Sequence, residues 1–245
     1  MLFMIQLSIM RTVGKPDIVR KTIVINDDYV RQNRRADGKV NLHLGYADKA
    51  NKRIILNKFV IDKNLTLLTD SDITDIEQRI KRVDEEDVIA HESQHIHNGA
   101  IGYHYLANSD NIYECMLLAF ADEYSAMVAG YYHKTKNIDD AVNAAMKNLS
   151  GDVRKNYIQG QFTNHFKLLK KQWGESKNLY EHKVDNKKLR KVLNWYFTID
   201  GQQIMRQMSK DTLMLHNSFI VSIMGDIREF IDNKIMKEKD SGMER

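Results

Sequence analysis

Proline and cysteine are almost missing from this chain, whose 245 residues contain one of each, Pro16 and Cys115. A lone cysteine excludes an intramolecular disulfide, and with it the disulfide-stapled class of small secreted scaffolds. It fits a reducing compartment, so a cytoplasmic protein is expected. With one proline and twelve glycines, few positions force the backbone out of a helix, and long helices are expected. Long apolar runs are missing too. The N-terminal stretch MLFMIQLSIM is well short of the roughly 20 residues a membrane-spanning helix needs. No basic residues precede it and no small-residue cleavage pattern follows, so it reads as a buried strand and not as a signal peptide. No membrane partner is expected. Strong charge of one sign is also absent: the net charge of +4 does not by itself call for nucleic acid.

The first third of the chain is strand-like. LFMIQLSIM, KTIVI, VNLHL and KRIILNKFVI are β-branched or aromatic-rich and partly alternating, which predicts a small antiparallel or mixed sheet of three or four strands. After TDSD at 69–72 the pattern turns helical, with helices expected over about 72–98, 108–133, 137–149, 151–172, 186–197 and 201–238. Ser71 or Asp72 could cap the first of these. If it is interrupted near Val83, Asp84 becomes the cap, with Glu85, Glu86 and Asp87 in the first turn, where the helix dipole favours acids. Gly99 is read as the helix stop. The fold class is α+β: a small N-terminal β-sheet packed on a mostly helical body, with a helical C-terminal half. A single domain over 1–245 is expected, with the sheet and site helices in 1–133 and a helical region in 134–245.

The segment VIAHESQHIHNG, residues 88–99, holds three of the nine histidines. His91 and His95 are four residues apart, which on a helix puts both imidazoles on one face. That spacing lets both reach one Zn²⁺ at about 2.0–2.1 Å. Glu92 is turned about 100° from His91, where it can sit beside the metal without ligating it and take a proton from the water the metal activates. This is the logic of the HExxH pattern.

Two histidines do not complete a catalytic zinc site, which needs a third protein ligand. The next helix, NIYECMLLAFADEYSAMVAGYY, is apolar nearly all round and therefore expected to be buried. Glu123 stands in the middle of its stripe Ile112, Met116, Ala119, Glu123, Ala126/Met127, Gly130. A buried carboxylate is costly without a positive partner, and a metal ion is such a partner. Small residues a turn to either side, Ala119 and Ala126, allow close approach of the helices. Glu123 is the expected third ligand, with Glu114 as its rival.

HESQH, followed 28 residues after His95 by the glutamate of ADEYSA, resembles the gluzincins, zinc peptidases with two histidines and a downstream glutamate as ligands. The E-x-x-A form of the second helix is similar to that of ImmA/IrrE-type peptidases of mobile elements and other bacterial and phage HExxH proteins. The resemblance spans about residues 52–133. It implies a zincin-like domain, a Zn²⁺ cofactor, metallopeptidase activity on a protein or peptide substrate, Glu92 as general base, and an edge strand that an extended peptide could pair with. The chain departs from two related patterns. Asn98 and Ile101 stand where metzincins have glycine and a third histidine, and Met127 stands where thermolysin-like enzymes have an aspartate. A binding or structural protein keeping a zincin fold with little turnover, phage or mobile-element associated, is the alternative.

Other residues receive plainer readings. Asp122 could orient a ligating imidazole, or pair with a neighbouring side chain. His97 is turned about 200° from His95 and is read as a surface histidine. Tyr103, His104, Tyr124 and His133 are candidates for the donor facing a developing oxyanion. Cys115 is read as a buried structural thiol. The basic segment over 167–196 is read as helix with a solvated basic back, and a nucleic-acid partner is not expected. The methionines from Met205 to Met236 are assigned to core or to a packing interface.

Overall fold

The computed structural model describes residues 19–24, 27–34, 43–58, 85–107, 111–173 and 185–243. The fold is α+β, and the chain divides into two compact units, residues 1–97 and 98–245. The division falls inside one continuous helix.

In the first unit, β1 (Val19–Val24), α1 (Asp27–Asn33), β2 (Gly45–Asp48) and β3 (Arg53–Lys58) precede α2 (Glu85–Ala107). The three strands form one mixed sheet in the order β1-β3-β2, with β1 parallel and β2 antiparallel to β3. The expected strand KTIVI falls largely in β1 and KRIILNKFVI supplies β3. Of the strand expected at VNLHL, residues 40–42 lie outside the described residues, and His43 and Leu44 precede β2, which begins at Gly45. LFMIQLSIM lies outside the described residues. Alternation along β3 buries Ile54 and Leu56 with Ile89 and Ile96 of α2. Ile89 and Ile96 are two turns apart and therefore share the helix face. The Asp48 carboxylate pins the β2–β3 turn: Asn51 Nδ2 donates to Oδ2 at 2.9 Å and to Oδ1 at 3.1 Å, its backbone N–H donates to Oδ1 at 3.2 Å, and Arg53 donates to Oδ2 through Nε at 3.0 Å and through Nη2. These hydrogen bonds, Asn51's first and Arg53's second, lower the Asp48 carboxyl to about 2.

The second unit is helical: α3 (Ile112–Thr135), α4 (Ile138–Asn148), α5 (Gly151–Trp173), α6 (Asn186–Tyr196), a short β4–β5 hairpin (Thr198–Ile199, Gln202–Gln203) and α7 (Lys210–Met243). The apolar helix α3 packs against α4, α5, α6 and α7, as its nearly unbroken hydrophobicity requires. Asparagine or aspartate caps three helix starts. Asn111 accepts from the backbone of Glu114, Asn137 from Asp139 and Asp140, and Asp185 from Lys187 and Lys188. Each cap satisfies amides that have no partner within the helix. On α6, Leu189, Val192 and Tyr196 are buried while Lys187, Lys188, Arg190 and Lys191 face solvent, the amphipathic arrangement expected of this basic segment. In the methionine-rich region Met208 is buried but Met214 is 63% exposed.

Two sequence expectations are corrected. Gly99 does not stop the first site helix, which runs on to Ala107 with Gly99 buried inside it. A glycine costs only about 1 kcal/mol relative to alanine within a helix, and the residues after it, AIGYHYLA, include no proline. The last helix starts at Lys210 and not near 201, because residues 198–203 form the hairpin. Its two-residue loop is Asp200-Gly201, both at positive φ, 51° and 78°, the backbone that a tight two-residue hairpin loop demands. Ser71, Asp72, Val83 and Asp84 lie outside the described residues.

Candidate metal centre

Helix α2 carries two adjoining working faces. Val88, Ile89, Glu92 and Ile96 fall within about a 100° arc, and His91, His95 and Asn98 within a neighbouring arc of about 60°. The first arc holds Ile89 and Ile96, which join Ile54 and Leu56 in the core under the sheet, with Val88 packed against it. Glu92 lies in the same arc and is 8% exposed.

On the second arc the histidine rings meet edge to face, with centroids 4.9 Å apart and planes at 77°. Their Nε2 atoms are 3.2 Å apart. A tetrahedral ion with Zn–N bonds of about 2.0–2.1 Å requires its two nitrogens to be about 3.3 Å apart, so the observed pair fits a shared ion. One donor atom from each of His91, His95 and Glu123 lies within 4.8 Å of the other two. Two imidazoles and one carboxylate make a donor set suited to a borderline-soft divalent cation, with a fourth position left for water or substrate. Among the described residues, Glu123 and not Glu114 joins the histidines in such a group.

The turn of α3 that carries Glu123 is fastened to α2 by Asn98. This residue is fully buried, and its Nδ2 donates to Asp122 Oδ1 and to Ser125 Oγ, each at 2.8 Å. Ser125 Oγ donates in turn to the Asp122 carbonyl at 3.0 Å. Asp122 and Ser125 bracket Glu123, while Asn98 lies one turn beyond His95. Sequence reasoning noticed Asn98 only as a departure from the metzincin pattern. Its signal was available: a polar residue at i+7 from His91 and i+3 from His95 occupies the ligand face.

Glu114 has a different task. It is 8% exposed, and its Oε1 accepts from the backbone N–H of Asp185 at 2.8 Å, at the start of α6. The carboxylate is buried at a helix N-terminus, whose dipole favours negative charge. Tyr124 is also reassigned. Its hydroxyl lies 2.9 Å from His216 Nδ1 in the core, and the two rings stack at 21°. Burial pushes the Tyr124 phenol up and the His216 imidazole down to about 4. His216, which the sequence pattern did not single out, therefore stands as a neutral core histidine at pH 7. Cys115 is buried, as expected. His97 and His133 are half-buried, and the side chains of Tyr103 and His104 lie outside the described residues.

Two tyrosines respond to the acidic turn of α3. Burial raises the Tyr157 phenol first, and the charges of Glu123 and Asp122 raise it further. Tyr196 is raised by burial and by Asp122. Tyr157 packs edge to face on Phe120, with centroids 5.8 Å apart, one turn before Glu123 on α3.

No family model, curated protein or solved structure matches the chain. Among the described residues, no helix is long and apolar enough to cross a membrane.

Proposed function

We propose that this chain is a zinc-dependent peptidase of gluzincin type. The observation that carries the reading is the convergence of His91, His95 and Glu123 donor atoms within 4.8 Å, on an HExxH helix whose two Nε2 atoms are 3.2 Å apart. Those three residues would hold the ion. When bound, it supplies Lewis acidity, polarising a carbonyl and making water acidic enough to be deprotonated near neutral pH. Glu92 performs the proton chemistry. It accepts a proton from the attacking water as the oxygen bonds to the scissile carbonyl carbon, then gives that proton to the leaving nitrogen as the C–N bond breaks. The products are a carboxylate and an amine. Substrates of this chemistry are polypeptides presented in extended form. A single cysteine, Cys115, agrees with a working place in the cytoplasm.

The test is metal content and hydrolysis of an unfolded polypeptide by wild type, Glu92→Gln and Glu123→Ala. Wild type should bind one equivalent of Zn²⁺ and cleave. Glu92→Gln should keep the metal and lose at least a hundredfold in rate, the scale of general-base catalysis. Glu123→Ala should lose the metal. A wild type that binds no divalent ion refutes the reading. One that binds metal and cleaves no polypeptide is a binding protein on the same scaffold.

A further inference from the structure

Strand β2 passes over α2 at Glu92, and the residue at that point is Gly45. A Cβ on Gly45 would lie 2.6 Å from Val88 Cγ1, 2.9 Å from Glu92 Cγ and 3.0 Å from Glu92 Oε1. All three are closer than unstrained carbon contacts at about 3.5–4.0 Å. None of the neighbours has an easy retreat. Val88 is β-branched and stiff at χ1 on a helix, and Glu92 is 8% exposed. The strand is also held. Gly45 pairs with Leu56 of β3, and the far end of β2 is fixed by Asp48 with Asn51 and Arg53.

We propose that Gly45 is a positioning residue for Glu92: its missing side chain lets the β2 backbone close on the glutamate and fix where the carboxylate stands. Its catalytic meaning rests on the peptidase reading above. A methyl group at this position displaces the carboxylate while His91, His95 and Glu123 stay in place, so metal binding and proton transfer separate.

The experiment is a double-mutant cycle on the full chain. Gly45→Ala should keep one equivalent of Zn²⁺, with kcat on an unfolded polypeptide down tenfold or more and KM within twofold. In a Glu92→Gln background the same substitution should change the residual rate less than twofold, because the group it acts through is already disabled. An equal loss in both backgrounds overturns the proposal, and so does full recovery of kcat in Gly45→Ala/Val88→Ala. The second readout is the urea midpoint of the metal-stripped protein. The shift caused by Gly45→Ala should shrink in a Glu92→Ala background, where Cγ and Oε1 are gone, and an unchanged shift overturns the contact. If Gly45→Ala does not fold, Gly45→Ala/Val88→Ala, relieved of the 2.6 Å contact, carries the kinetic comparison, and a kcat equal to that of wild type overturns the proposal. Should wild type cleave nothing, the peptidase reading fails alone, since the urea cycle still reports whether Gly45 holds Glu92.

Discussion

Asn98 offers the sharpest test of how the acidic turn of α3 is held. Its side-chain nitrogen donates to Asp122 Oδ1 and to Ser125 Oγ, both at 2.8 Å, and the residue has no exposed surface. A hydrogen bond to a charged acceptor contributes about 1.5–3 kcal/mol, and one to a neutral acceptor about 0.5–1.5. Asn98→Ala removes both donors and leaves the acceptors short of partners, so the chain should lose about 2–4 kcal/mol. That is a large share of the roughly 5–15 kcal/mol available to a folded domain. Urea unfolding of the metal-stripped protein at pH 7 measures it, with Asn217→Ala, an exposed asparagine of α7, as a control expected within about 0.5 kcal/mol of wild type. Zinc affinity should fall in Asn98→Ala at unchanged stoichiometry, since the substituted residue supports the ligands and is not one of them. Ser125→Ala, which loses the smaller share of the network, should cost about 1 kcal/mol. A loss below about 1 kcal/mol for Asn98→Ala refutes the assignment of this amide as the fastening between the helices.

The two glutamates of α3 should part company. Glu114→Ala should bind a full equivalent of Zn²⁺ yet unfold at lower urea, by about 1–3 kcal/mol for the abandoned Asp185 N–H, while Glu123→Ala shows the reverse ranking for metal. Acid should weaken the fold through His216. Its folded value of about 4 lies below the ordinary imidazole value of 6.5, so the unfolded chain takes up the proton first. Stability is therefore intact above pH 6.5 and declines as pH falls toward 4, by up to about 3 kcal/mol; His216→Gln should flatten that part of the profile, and an unaltered profile counts against it. Gly201→Ala, at φ 78°, should lower stability by about 1–2 kcal/mol, read as a thermal midpoint shift, and a neutral effect would remove the argument for a strained hairpin loop.

The helices of the second unit were legible because their signals are local. Asn137 before an amphipathic run, Asp185 before NKKLRKVLNWY and the near-continuous hydrophobicity of α3 each fix an element within a few residues of where it lies. The hairpin at 198–203 was equally legible and was overlooked. Asp200-Gly201 between FTI and QQI is a strong short-range turn signal, yet a helical pattern extended across it hid the turn. Gly99 failed for the opposite reason. Glycine favours a helix end only when the next residues leave the helix, and its intrinsic cost is small enough for the surrounding chain to override.

The site divides along the same line between local and distant causes. HExxH is read from spacing alone, because 3.6 residues per turn put His91 and His95 on one face. Favouring Glu123 over Glu114 needed a second helix, and the signal used was a carboxylate at the centre of an apolar stripe, which requires a partner; Glu123 is the one that groups with the histidines. Glu114 accepts from the backbone N–H of Asp185, 71 residues away, a partner no local pattern announces. What no spacing rule reaches is the support around these groups. Asn98 matters through two hydrogen bonds to a helix 24 and 27 residues away, and Gly45 matters through a side chain it does not have, against Glu92 on another element. Both act by contact across the fold. An HExxH motif can therefore be read from a sequence, while its competence depends on whether residues such as these let the carboxylates stand where the chemistry needs them.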